Sequence, residues 1–306
     1  MCRCGRPPTS LSAPERILQR LDWQVVRKLD GLLQGDYRSL FRGNGIDLAD
    51  LREYQPGDDV RSIDWNVTAR MDTPYVREYH EDREISGWFL LDLSPSVEFG
   101  SPSADRLKRN VLVDFTATLA RLLTRRGNRV GAMLYGNGIE RTIPAASGQL
   151  QVLRLIDGLL RRPAQTRAPF TDLGPLLDGA ASGIRRRSLV FVISDFICAP
   201  GWERPLDRLN RRHEVIAVRL VDPAELHLPD VGPMILEDAE TGEQLYVDTA
   251  DRGFRERFAE AAARREGAIA GAFKRAGVDA LSLSTDEDVL GGILRMATLR
   301  RARAHR

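Results

Sequence analysis

Cysteine is scarce in this chain: 306 residues contain three, accompanied by only four histidines. Cys2 and Cys4 lie in a stretch rich in Pro, Ser and Arg, and Cys198 follows an apolar run, so no disulfide framework can be assembled. Cys2-Arg3-Cys4 could form half of a thiolate metal site, but no second Cys/His cluster completes it. This thiol usage fits a reducing, cytoplasmic setting. Long hydrophobic runs are missing too. The longest, around 88–93 and 189–197, fall well short of the ~20 residues that cross a bilayer, and no apolar signal region follows the start. The expectation is therefore neither export nor a membrane span. Net charge is nearly absent, since 45 Lys and Arg against 43 Asp and Glu leave +2. That balance gives no electrostatic basis for dedicated nucleic-acid binding. Arg185 to Arg187 and the tail from Arg300 to Arg306 read as solvated ends, with contact to nucleic acid or anionic lipid as the alternative.

What is present is enough chain to bury a sizeable core. Residues 1–13 read as a disordered lead-in. The segment 14–84 begins with a helix from Glu15 to Leu33, whose apolar positions Ile17, Leu18, Leu21, Val25, Leu29 and Leu32 recur at spacings of three and four. It continues as an irregular stretch dense in charge, Gly and aromatics. There Asp58 or Asp59 is a candidate cap for a short helix through Trp65, and Tyr75 to Tyr79 reads as a strand.

From Ile85 to the end, strand and helix signals alternate, which predicts a mostly parallel sheet with helices on both faces. Ile85 to Asp92 and Ser188 to Phe196 are apolar nearly throughout, as strands covered on both sides should be. The helix over Ala104 to Arg126 carries the stripe Leu107, Val111, Phe115, Leu119, Leu122 and ends at Gly127. Lys108, inside it, reads as solvated. Residues 234–249 form a hairpin insertion whose tip, Ala239-Glu240-Thr241-Gly242, is expected to be exposed.

In an open parallel sheet, functional residues gather at the carboxyl ends of the strands. Asp92 and Asp195 each follow a hydrophobic run and reach that rim. Ser94 and Ser96 come at alternate positions after Asp92, so one tight loop can point several oxygens at a common centre. This is hard-cation chemistry, suited to Mg2+ or Mn2+ in near-octahedral oxygen coordination. A hydroxyl-rich site leaves the ion positive enough to seek a carboxylate from a protein partner. The structural alternative is that Ser94 or Ser96 merely caps the next helix while Asp195 fills a turn.

Two resemblances follow from these residues. Asp92-Leu93-Ser94-Pro95-Ser96, with Thr171-Asp172-Leu173 and Ser194-Asp195-Phe196, resembles the metal-ion-dependent adhesion site of von Willebrand factor A domains. Arg52 through Trp65 (REYQPGDDVRSIDW) resembles the signature of bacterial proteins grouped as domain-of-unknown-function family 58, and the similarity extends through Asp222-Pro223, Leu236-Glu237-Asp238 and Ser284-Thr285-Asp286. These resemblances imply a von Willebrand factor A-like, doubly wound α/β fold. They imply that Ser94, Ser96 and Thr171 bind a metal directly, with Asp92 and Asp195 acting directly or through water. They also imply partnership with a MoxR-type AAA+ ATPase in chaperone-like assembly or maturation of other complexes. The Arg52 to Trp65 segment could be locked onto the sheet by ion pairs, with Trp65 as a buried anchor. Alternatively, Asp58, Asp59, Asp64 and Trp65 form a partner-facing surface.

The expected function is thus that of a non-enzymatic, metal-dependent adaptor. A metal-dependent phosphohydrolase using Asp92 and Asp195 is the enzymatic alternative, and a structural domain with a degenerate site is the third. Against the enzyme, no Lys, His or Arg is tied by spacing to Asp92, and His80, His213, His227 and His305 are scattered. Neither an H-E-x-x-H pair nor a G-x-S-x-G elbow occurs, and the Gly-rich pieces lack a Walker lysine.

Overall fold

The computed structural model describes residues 12–19, 47–71, 73–80, 86–101, 104, 106–163, 165 and 170–304. Residues 13–19 form helix α1, and Leu18, only 2% exposed, joins the core. The rest of the helix expected through Leu33, most of the 1–13 lead-in, and Cys2 and Cys4 lie outside the described residues.

Six strands form the central sheet: β3 (Ser86–Asp92), β4 (Arg129–Tyr135), β5 (Ile139–Ala146), β6 (Leu189–Ser194), β7 (Glu214–Val221) and β10 (Asp279–Ser284). Their spatial order is β5-β4-β3-β6-β7-β10, and all neighbours run parallel except β5 against β4. The chain steps outward from β3 through β4 to β5, then crosses over and steps outward again from β6. The switch point therefore falls between β3 and β6, where a doubly wound sheet opens a crevice at its carboxyl edge.

Alternation along each strand assigns the two faces. Phe89 and Leu91, Phe191 and Ile193, and Ile216 and Val218 point to one side. They meet α3 (Lys108–Arg125) through Val111, Phe115 and Leu119, together with α4 (Gln149–Leu160) and α8 (Val289–Ala304). Leu90, Val190, Val192, Val215 and Ala217 point to the other side, onto α5 (Gly174–Gly183), α6 (Glu203–Arg212) and α7 (Arg252–Arg275). Phe191 stacks on Phe89 at 5.3 Å between ring centroids and meets the edge of Phe115 at 6.4 Å. Each such fully buried side chain stabilises the fold by about 1.5–3 kcal/mol. This is the doubly covered parallel sheet that the apolar strand runs predict. Gly127, at φ +82, closes α3 in the left-handed conformation that a residue with a Cβ adopts at a cost.

The Arg52 to Trp65 segment starts in the last two residues of β1 (Asp47–Glu53), which forms a two-stranded antiparallel ribbon with β2 (Tyr75–His80). Arg52 grips Asp58 through two hydrogen bonds of 2.7 Å, and Asp58 also accepts the Gln55 N–H at 2.8 Å. The guanidinium first, then that N–H, hold the Asp58 carboxyl down at about 2. Asp59 caps a single 3-10 turn, Val60–Ser62, by accepting the Arg61 N–H at 2.9 Å. Buried Asp64 accepts the Asn66 and Val67 N–H groups at 3.0 and 3.3 Å and so opens α2 (Trp65–Met71). All three acids therefore carry intramolecular roles. Trp65 does not: at 67% exposure it is solvent-facing, which overturns the expectation of a buried anchor.

Two melts separate these roles. Asp64→Ala removes a helix cap and is expected to lower stability by about 1 kcal/mol, whereas Trp65→Ala should change it by no more than about 0.5 kcal/mol. The Arg52–Asp58 pair should contribute fully above the ordinary aspartate range and be lost as pH falls through about 2. Asp58→Asn should therefore erase the difference between melts at pH 5 and near pH 2 that this pair supplies.

Candidate metal centre

Asp92 is the last residue of β3, and Asp195 follows the last residue of β6, its parallel neighbour. Both are 1% exposed. Ser194 ties the two strand ends together: its hydroxyl donates to Asp92 Oδ2 at 2.6 Å and accepts the Phe196 N–H at 2.9 Å. Phe196 then takes φ 54, in the left-handed region. That conformation is costly for a bulky residue and is held by ring contacts with Trp202 at 5.2 Å and Phe273 at 4.8 Å. The turn it makes leaves Asp195 at the rim. Asp195 Oδ1 accepts the Ile197 N–H at 3.0 Å, so Asp195 does fill a turn as the structural alternative supposes.

The serine loop behaves differently from that alternative. Asp92 Oδ1 accepts the Ser94 N–H at 3.0 Å, which folds the loop tightly. Ser94 precedes the 3-10 turn Pro95–Glu98, yet its hydroxyl makes no capping bond. Instead the Ser94 and Ser96 hydroxyls meet at 3.1 Å. Lys108 then ties the Ser96 carbonyl to Asp195. Four of the five predicted residues thus form one hydrogen-bonded cluster.

Thr171, the fifth, makes no hydrogen bond to these four among the described residues. Its carbonyl accepts the Ala199 N–H, just beyond Asp195, at 2.8 Å, and the next carbonyl, that of Asp172, accepts the Tyr135 hydroxyl at the end of β4. The Thr171 side chain, 4% exposed, donates to Glu240 Oε1 at 2.5 Å, while its N–H donates to Oε2 at 2.9 Å.

Electrostatics set the two acids apart. Burial, and then the negative charge of Asp195, push the Asp92 carboxyl up to about 6 despite its hydrogen bonds from Ser194 and Ser94. Burial would also raise Asp195, but the Lys108 ammonium outweighs it, helped by the Ile197 N–H and the Ser96 hydroxyl, and holds Asp195 low. Lys108 is 0% exposed and donates to Asp195 Oδ2 at 3.0 Å, to Glu225 Oε1 at 2.5 Å and to the Ser96 carbonyl at 3.3 Å. The expectation that Lys108 is solvated is therefore wrong. It lies in the first turn of α3 on the buried side, and its three donors are all used. Burial, then the charges of Asp92 and Asp195, raise the Cys198 thiol nearby.

Do these residues suit a divalent ion? The donors are oxygens, mainly hydroxyls. Among the described residues no three His, Cys, Asp or Glu side chains gather as a metal group. Two oxygens bound side by side to magnesium, each at about 2.0–2.1 Å, stand about 2.9 Å apart, close to the 3.1 Å between the serine hydroxyls. Asp92 has hydrogen-bond donors but, among the described residues, no cationic partner. The donor set fits a hard cation beside Asp92.

Sequence reasoning missed Lys108, Glu225, Ser194 and Glu240. Lys108 had a readable signal, since it stands three, four and seven residues before Val111, Leu112 and Phe115 on the buried stripe. Glu225 completes a capping box with Asp222, visible in Asp222-Pro223-Ala224-Glu225.

The sequence profile described as "Protein of unknown function DUF58" matches residues 50–268. The chain belongs to the DUF58 family. "Uncharacterized protein Rv1480" of Mycobacterium tuberculosis (strain ATCC 25618 / H37Rv) is 39% identical over 289 residues, covering 93% of this chain and 89% of that one. "Uncharacterized protein MAV169" of Mycobacterium avium is 37% identical over 162 residues, covering 52% of this chain and 94% of the relative. Among solved structures, the chain is similar to the conserved hypothetical protein BatB from Bacteroides thetaiotaomicron, with TM-score 0.47 and 13% identity over 71% of this chain and 99% of that one. It is also similar to the SpRpn10 VWA domain, with TM-score 0.39 and 11% identity over 69% of this chain and 94% of that one.

Truncating one partner of a buried ion pair leaves the other charge uncompensated and costs about 3–5 kcal/mol. Lys108→Met should destabilise this DUF58 chain by that order in urea unfolding. Arg208→Met, which breaks an exposed pair with Asp178, should cost less than about 1 kcal/mol.

Proposed function

We propose that this DUF58 chain is a non-enzymatic, divalent-metal-dependent protein-binding adaptor that acts in the cytoplasm with a MoxR-type AAA+ ATPase in the assembly or maturation of protein complexes. The observation that carries the metal half is Asp92: a buried carboxylate that, among the described residues, lacks a cationic partner and stands beside two hydroxyls spaced as neighbouring ligands. The ATPase half rests on the resemblance of the Arg52 to Trp65 signature alone.

In this reading Ser94, Ser96 and Thr171 hold Mg2+ or Mn2+ through their hydroxyl lone pairs. Asp92 and Asp195 act on the ion directly or through water and supply negative charge. The ion, when bound, supplies a Lewis-acid contact for a carboxylate oxygen from another protein. Lys108 keeps Asp195 ionised and fixed, so that one acid is balanced from within and the other is left for the ion. The phosphohydrolase alternative gains no support, because Lys108 is sealed between Asp195, Glu225 and the Ser96 carbonyl and has no donor left for a phosphate. The exposure of Trp65 to solvent supports a second contact surface on the signature segment.

Two measurements test the proposal. Magnesium at a hundredfold excess over its Kd should stabilise the native chain by about 2.7 kcal/mol, read as a raised Tm that Asp92→Ala abolishes. A pulldown should recover a partner set in magnesium that is lost with chelator and with Asp92→Ala. Partners indifferent to all three conditions would reject the adaptor.

A further inference from the structure

The hairpin of β8 (Pro233–Glu237) and β9 (Gln244–Asp248) is solvent-exposed along most of its length, yet one residue of its tip is not. Glu240 is 6% exposed, while Asp238, Thr241 and Glu243 around it are exposed. The expectation of an exposed tip fails at that single carboxylate. Its inward turn is built by Asp238, whose Oδ1 accepts the N–H groups of Glu240 and Thr241 at 3.0 and 2.7 Å and the Thr241 hydroxyl at 2.9 Å. Gly242, at φ +73, lets the chain return to β9. The Leu236-Glu237-Asp238 part of the family resemblance, silent in sequence, thus has a local role: it aims Glu240.

Glu240 is aimed at Thr171. Both of its carboxylate oxygens are used there, one on the hydroxyl and one on the N–H. Among the described residues this buried carboxylate has no cationic partner. A hydroxyl that donates its only hydrogen to a carboxylate keeps its lone pairs for a cation. Ser94 and Ser96 instead bond each other at 3.1 Å, and it is the Ser94 N–H that donates to Asp92 Oδ1, at 3.0 Å. Of the three hydroxyls, that of Thr171 is thus the one that donates to a carboxylate, and this carboxylate comes from a hairpin remote from the sheet rim in sequence.

We infer that Glu240 is a positioning residue of the metal centre, orienting the Thr171 hydroxyl, so that the centre is complete only with the β8–β9 hairpin docked. The inference rests on the metal reading proposed above and extends it to a part of the chain that neither of the two resemblances assigns to the site. Its physical basis is the ordinary behaviour of partners behind metal ligands, whose removal weakens metal affinity about 10- to 100-fold.

The test is Mn2+ binding to the full chain, followed by titration calorimetry or by electron paramagnetic resonance of the free ion. Wild type, Asp92→Ala, Glu240→Ala, Glu240→Gln, Thr171→Ala and the Glu240→Ala/Thr171→Ala double variant are compared. The metal-free Tm of each reports folding. Glu240→Ala should weaken Mn2+ binding about 10- to 100-fold, and Glu240→Gln, which keeps an acceptor but loses the charge, should fall between it and wild type. Because Glu240 acts through Thr171, the double variant should bind no more weakly than Thr171→Ala alone. A merely structural role would lower the metal-free Tm and leave Mn2+ affinity unchanged, and that result overturns the inference. Additive losses in the double variant overturn it too. If wild type binds Mn2+, Asp92→Ala does not, and the Glu240 variants match wild type, only this inference falls and the metal centre stands. Should wild type bind no Mn2+, both fall.

Discussion

Two carboxylates cannot be buried side by side without compensation, and the architecture of this site follows from that constraint. β3 and β6 are parallel neighbours at the switch point of the sheet, so the residues that end them come together. With Asp at both ends, the fold places two like charges at one dry rim. Desolvation and mutual repulsion penalise both ionised forms. Compensation is unequal. Lys108 reaches Asp195 from the first turn of α3 and is itself seated by Glu225, while among the described residues Asp92 receives only hydrogen bonds. The asymmetry leaves a local demand for positive charge beside Asp92, next to a pair of hydroxyls.

The supports behind this arrangement reach far along the chain. Asp222, fully buried at the end of β7, accepts the Ser101 N–H at 3.0 Å and the Thr285 hydroxyl at 2.8 Å, joining the serine loop's exit to the end of β10. It also opens the short turn that carries Glu225 to Lys108. Asp238 performs the equivalent service for Glu240 at the hairpin tip. Positions that show no chemistry of their own in sequence therefore brace the residues that do. The strained Phe196 belongs to the same logic: an aromatic cluster fixes a left-handed turn so that Asp195 stays at the rim.

Most of the sheet is legible in the sequence because its strands are covered on both faces. A run such as LVFVIS admits few other readings, and the acid that follows it marks the rim. The DLSPS loop is readable for the same reason, since its oxygens follow directly on a buried strand. Charge misleads elsewhere. β1, reading DLADLRE, carries a register shift between Leu48 and Asp50 that breaks the alternation a strand should show. The charge of Lys108 points to solvent, although its spacing to Val111 and Phe115 lies on the buried stripe. The size and aromatic ring of Trp65 point to the interior, although it opens an exposed helix. Glu240 leaves no signal at all, because a turn of Glu, Thr and Gly looks solvated until the fold reveals what stands opposite it.

The central claim is that the hydroxyls of Ser94, Ser96 and Thr171, the last held by Glu240, converge on one hard cation beside Asp92. Crystals of the native chain grown with Mn2+ and measured near the manganese absorption edge test it most directly. The account predicts a single strong anomalous peak at the carboxyl ends of β3 and β6, within bonding distance of the Ser94, Ser96 and Thr171 hydroxyl oxygens. An empty anomalous map there at saturating Mn2+, with Lys108 still seated on Asp195, would contradict it.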